Sequence, residues 1–123
     1  MQLFHLNWEK SSSRNADEHL KIVMPGRSED HSFIRKLFDD GELYELVATS
    51  DLDDAEKVYT ATQNGILSDS WSINPPTAIS PIEPSSHNGR NGEKHGRRST
   101  SVGDIIVKDD KVLFCATMGF QEI

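Results

Sequence analysis

Two apolar runs near the C-terminus constrain this chain more than any other feature. Ile105, Ile106 and Val107 form one run, and Val112, Leu113, Phe114, Cys115 and Ala116 form the other. Only Lys108, Asp109, Asp110 and Lys111 separate them. Two β-rich runs around a short polar stretch predict a β-hairpin. Asp109 and Asp110 suit its tip, because their short side chains bond local backbone and tolerate unusual φ. Neither run alternates cleanly with polar residues. An unbroken apolar run implies a strand covered on both faces, so the hairpin belongs in the middle of a sheet. Gly103 and Gly119 bracket it at positions that suit turns or a bulge.

The rest of the chain supplies the partners. Met1 to Trp8 reads as a first strand, with Phe4, Leu6 and Trp8 alternating with His5 and Asn7. Residues 9 to 19 are polar, with three consecutive serines, and read as a loop. Leu20 to Met24 reads as a short strand ended by Pro25 and Gly26. His31 to Asp40 reads as a helix with Phe33, Ile34, Leu37 and Phe38 on one face. Ser28 or Asp30 suits its cap and Gly41 its stop.

Leu43 to Thr49 reads as a strand. A second helix follows, with Asp51 as N-cap, Asp53 and Asp54 in the first turn, and a stripe of Leu52, Ala55, Val58, Tyr59 and Thr62. Gly65 is its expected stop, and Trp71 an anchor on the core. Four of the five prolines lie between Pro75 and Pro84, and Ser, Asn, Gly and basic residues follow. Residues 74 to 97 therefore read as one long surface loop, whose order the sequence leaves open.

The expectation is a single domain spanning residues 1–123. Its class is α+β: a mostly antiparallel sheet, two helices packed on one face, and a long Pro/Ser/Gly-rich loop before the C-terminal hairpin.

Charge narrows the functions. The net charge is −7, which argues against general affinity for nucleic-acid backbone. It suits a protein partner with a basic surface. The single cysteine, Cys115, allows no intrachain disulfide and lies among apolar neighbours that disfavour a reactive thiolate. No segment has a signal-peptide pattern or the roughly 20 apolar residues of a membrane span. A cytoplasmic location in a bacterial cell is expected, without membrane contact.

Eight carboxylates fall within residues 39 to 56. Asp39, Asp40, Glu42, Asp51, Asp53, Asp54 and Glu56 are the candidate partner-binding set. The plain reading is a solvated face with acids at a helix start. The sharper reading is a surface that imitates the phosphates of nucleic acid and occupies a basic groove on a nucleic-acid-processing protein.

Between Ser85 and Ser99 the balance reverses to a local net of +3. Arg90, Lys94, Arg97 and Arg98 are the candidates there for nucleic-acid or anion contact. No aromatics are interleaved, so base stacking is not indicated, and a solvated loop is the plainer reading. His87 and His95 do not have zinc-ligand spacing. No catalytic or phosphate-binding motif is present, so neither a cofactor, a metal nor an enzymatic activity is expected.

Arg98-Ser99-Thr100-Ser101-Val102-Gly103-Asp104 admits two readings. Hydroxyls, an arginine and backbone donors at a glycine can hold a small anion, or serve a catalytic site near residues 98 to 104. Alternatively the hydroxyls and Asp104 bond local N–H groups and build a turn.

Together with the hairpin and the closing Gly119-Phe120, this string resembles the C-terminal signature of YodL-like domains. The likeness spans Arg98 to Phe120. Thr100 stands where that family often has an apolar residue, and Asp109-Asp110 lack a turn glycine. YodL-like domains are small, mostly uncharacterised proteins of phages, plasmids and conjugative elements. The resemblance implies a mobile-element origin and no agreed chemistry. It fits a non-enzymatic accessory protein that binds, and inhibits, a host protein in an anti-defence role.

Overall fold

The computed structural model describes residues 1–24 and 31–123. The C-terminal hairpin forms as the apolar runs require: β6 (Ile105–Lys108) pairs with β7 (Lys111–Ala116). Asp109 at its tip has φ +55°, the left-handed conformation a tight turn demands.

The first strand, β1 (Gln2–Leu6), lies against the outer side of β6 and also pairs with β2 (Tyr44–Ser50). On the far side of β7 the chain turns back as β8 (Gly119–Glu122). With β3 (Ile79–Pro81) at the other edge, the six-stranded order is β3-β2-β1-β6-β7-β8, antiparallel throughout. The hairpin is thus internal to the sheet. The β3 edge is three residues long and ends in Pro81, which blunts it against further pairing.

Ile105 and Ile106 are neighbours on β6 yet belong to different core clusters. Successive strand residues point to opposite faces, so the sheet is covered on both. One cluster joins Leu6, Ile105 and Phe114 to Ile22, Ile34 and Leu37 from the helices α2 (Ala16–Val23) and α3 (Ser32–Asp40). The other joins Leu3, Val47 and Ile106 to Val58 and Ala61 of helix α4 (Ala55–Ala61) and to Trp71, which is fully buried as its anchor role required.

The α+β class, the antiparallel sheet and the C-terminal hairpin match expectation. Four helices are present among the described residues where two were expected, and they are not confined to one face: α2 and α3 pack on one side of the sheet and α4 on the other.

Three local readings are corrected. Residues 9 to 19 are not a loop, and Leu20 to Met24 is not a strand. They form α1 (Trp8–Arg14) and α2. The asparagines carry the signal. Asn7 Oδ1 accepts from Lys10 N, and Asn15 ends α1 and caps α2 by accepting from Glu18 N. Ile22 is buried while Leu20 stays exposed, the one-sided burial of a helix rather than a two-sided strand. Trp8 consequently leaves the β1 alternation and opens α1.

In α4 the N-cap is Asp54, whose carboxylate accepts from Glu56 N, and not Asp51. The helix ends at Ala61, before Gly65. α3 does stop at Gly41, whose φ of +76° lets its N–H reach Leu37 O and Phe38 O. Ser28 and Asp30, expected as caps of α3, lie outside the described residues, as do Pro25 and Gly26.

The stretch 74–97, expected as one long loop, holds β3 and a separate two-stranded ribbon of β4 (Ser86–Asn88) and β5 (Lys94–Gly96). β4 and β5 are short and polar with no apolar alternation, and β3 has one buried residue, Ile79, among prolines, so composition alone read the stretch as loop.

Candidate functional site

Every acid of the predicted band is exposed, but the fold divides them. Asp39 and Asp40 end α3, and Glu42 lies between it and the start of β2. Asp51, Asp53, Asp54 and Glu56 lie beyond the other end of β2, at the start of α4. Seven residues of extended strand separate the groups by roughly 20 Å. The two helices also feed opposite clusters. The band is therefore two patches. Asp39 pairs with Arg35 at 3.1 Å, and Glu42 lies 3.9 Å from Arg14. Asp53 pairs with Lys57 at 3.1 Å, which holds its carboxyl below the usual range.

The α4 patch has a second property. Leu52, Ala61, Leu67, Thr60 and Thr77 line a groove of about 380 Å³ with Glu56 and Lys57 at its margin. Leu67 and its neighbour Ile66 are each 63% exposed. Apolar surface with a charged rim is the composition of a protein contact.

The Arg98–Asp104 string builds a clamp. Asp104 is fully buried and accepts four hydrogen bonds: from Arg98 Nη1 and Nη2 at 2.7 Å each, and from Leu6 N and Ser101 N at 2.8 Å each. The fork of planar guanidinium on carboxylate satisfies both charges at once. Arg98 also donates to Leu6 O and Ser99 O, and its guanidinium stacks 4.1 Å from the centre of the Trp8 ring. The string thus ties the end of β1 to the entry of β6. Gly103 has φ +100°, and Tyr44 Oη donates to its carbonyl at 2.7 Å. An added Cβ there would stand 3.2 Å from Ile22 Cγ2. The geometry is that of the turn-building reading.

Behind the clamp runs a chain of hydroxyls. Thr62 Oγ1 donates to Val58 O at 2.8 Å, which commits its one proton. Thr100 Oγ1, 2.7 Å away, must then donate to Thr62. Nε2 of His5, 2.9 Å from Thr100 Oγ1, is left as the donor to Thr100. The tautomer of His5 follows from the chain: Nε2 carries the proton and Nδ1 is a bare acceptor. Burial pushes the His5 pKa down to about 4, with Asp104 opposing and Arg98 and Arg97 reinforcing the shift. The ring is neutral at pH 7.

His5 lines a cleft of about 570 Å³ with Trp8, Glu45, His87, Arg97 and Arg98. Here the expected basic set separates. Arg97 forks onto Glu45 with both contacts at 3.2 Å, and Arg98 is spent on Asp104. Arg90 and Lys94 stay exposed on the β4–β5 ribbon. The four cations do not form one patch, and two are neutralised by carboxylates. Asn64, Trp71 and Gln63 donate to the carbonyls of Arg97, Arg98 and Thr100, so this end of the stretch is bound to the core rather than loose.

Among the described residues, no group of three or more His, Cys, Asp or Glu side chains could hold a metal ion. No described helix is long and apolar enough to cross a membrane. The groove residue Leu67 and the cleft residues His5, Trp8 and Glu45 were not legible as site residues. They meet across long sequence separations, and no local spacing marks them.

Comparison with known proteins found no matching family model, no matching curated protein and no matching solved structure. The likeness to YodL-like domains therefore rests on the residues of the C-terminal string alone.

Proposed function

We propose that this chain is a small non-enzymatic protein-binding module. Its contact surface is the groove beside α4, which Glu56 lines, together with the exposed acids Asp51, Asp53 and Asp54 at the start of that helix. The observation that carries the reading is that exposed Leu67 lines one groove with Glu56, with Ile66 exposed next to it in the chain and the exposed acids Asp51, Asp53 and Asp54 at the start of the same helix. A matching partner presents an apolar side chain flanked by Lys or Arg. Burial of the side chain supplies affinity, and the charges steer the encounter. Asp39, Asp40 and Glu42 are outside this surface. The resemblance to mobile-element proteins extends the proposal to a bacterial host protein as partner, with inhibition of a nucleic-acid-processing enzyme as the consequence. The spending of Arg98, Thr100 and Asp104 on one another favours a structural role over a catalytic one for that string.

The test is capture from bacterial lysate by the tagged protein, washed at low and high salt. Two variants enter beside the parent: Leu67→Asp, and the triple reversal Asp51→Lys, Asp53→Lys, Glu56→Lys. Asp54 is kept because it caps α4. A protein captured by the parent, lost from both variants, and retained by an Asp39→Lys, Asp40→Lys, Glu42→Lys control supports the reading. Capture that survives in the first two variants overturns it.

A further inference from the structure

The cleft between the β1–α1 junction and the β4–β5 ribbon shares no lining residue with the α4 groove and plays no part in the reading above. Its volume, about 570 Å³, is that of a small-molecule site. Its walls hold unspent hydrogen-bonding capacity of both kinds. His5 Nδ1 is an acceptor with its lone pair free, because the Thr100–Thr62–Val58 chain fixes the proton on Nε2. Arg97 Nε is a buried donor without a partner among the described residues, since the fork onto Glu45 uses only the two terminal nitrogens. His5 and Glu45 are direct cross-strand neighbours, so these groups belong to one wall. At the mouth are two rings. Trp8 is 43% exposed with Arg98 stacked on it, and His87 is exposed and stacked on His95 at 5.7 Å.

The charges of the wall are already met. Arg98 is neutralised by Asp104 and Arg97 by Glu45, and Glu9 adds a further negative charge. Among the described lining residues, no arginine or lysine is left unpaired to meet a phosphate. A flat, uncharged ring with an amide-type edge does have complements: its N–H for His5 Nδ1, its C=O for an arginine donor, and its face for Trp8 or His87.

We infer that this cleft binds a neutral nucleobase or nucleoside, with His5 and Arg97 reading the amide edge of the base and the Trp8–His87 rim stacking on its face. Stacking of a base on an aromatic side chain is sequence-tolerant, whereas the amide edge selects among bases.

The test titrates uridine, cytidine, guanosine and adenosine into the protein and follows Trp8 fluorescence. Ribose is the control for the sugar, and Trp8→Phe the control for signal from buried Trp71. The expected result is saturable quenching by at least one nucleoside and none by ribose, with affinity falling about tenfold in His87→Ala. His87 is exposed, so that variant should keep the parent's melting temperature. No saturable quenching up to about 10 mM overturns the inference, since that is weaker than any specific site. Quenching undiminished in His87→Ala and Arg97→Lys overturns it too, by placing the base on Trp8 outside the cleft. Tighter binding of the 5′-monophosphates than of the nucleosides overturns the assignment of a neutral ligand.

Discussion

His5 and Thr100 are 95 residues apart in the chain and share a buried hydrogen bond of 2.9 Å. That bond joins the first strand to the string that opens the C-terminal hairpin. It also gives the protein a pH-dependent stability with a definite sign. The folded pKa of His5 is about 4, below the ordinary 6.5 of an unfolded chain. Between those values the unfolded state binds the extra proton, so stability is lost as pH falls through that window. The loss attributable to this group is on the order of 3 kcal/mol. Urea unfolding measured from pH 7 to pH 4 should show it. His5→Gln keeps an amide donor for Thr100 without a titrating ring, and should flatten this part of the profile.

The fork between Arg98 and Asp104 is buried on the carboxylate side. Removing one partner leaves the other uncompensated, so Arg98→Ala should destabilise the fold by about 3–5 kcal/mol. Asp104→Asn keeps the shape and loses the charge and one acceptor, and should also be strongly destabilised. Chemical denaturation of each variant checks this, with Arg90→Ala as the exposed control expected near zero. A small effect of Arg98→Ala would return that residue to the role of a free, surface cation.

The start of α4 can be located by mutation. Asp54→Ala removes the side chain that accepts from Glu56 N and should cost about 1 kcal/mol. Asp51→Ala should change stability little, because its carboxylate caps nothing among the described residues. Thermal melts of the two variants discriminate between the two positions.

Cys115 is 4% exposed, and burial pushes its thiol up to about 12. A thiol reagent at pH 8 should fail to label the native protein and should label it fully in denaturant. Rapid native labelling at that pH would mean that β7 opens locally, since the reactive species is the thiolate.

The hairpin, α3 and the core position of Trp71 were legible in the residues because each has a strong local cause. Consecutive apolar residues on β6 and β7 can be satisfied only by cover on two faces. The spacing of Ile34 and Leu37 makes a buried stripe only in a helix. α1 and α2 were missed because their signal lies in the caps Asn7 and Asn15 rather than in an apolar pattern. β4 and β5 were missed because short polar strands have no burial to record.

Function divides along the same line. The α+β class, the acidity and the string from Arg98 to Asp104 are all legible in the order of residues. What those residues do depends on how the chain folds back on itself. The fold spread one run of acids to the two ends of β2, because an extended strand carries its flanks apart. It turned two of the four cations of the basic set into intramolecular ion pairs, because Glu45 and Asp104 arrive from other parts of the chain. It also assembled His5, Trp8, Glu45 and His87 around one cleft, a juxtaposition that depends on which strands pair and that no local spacing encodes.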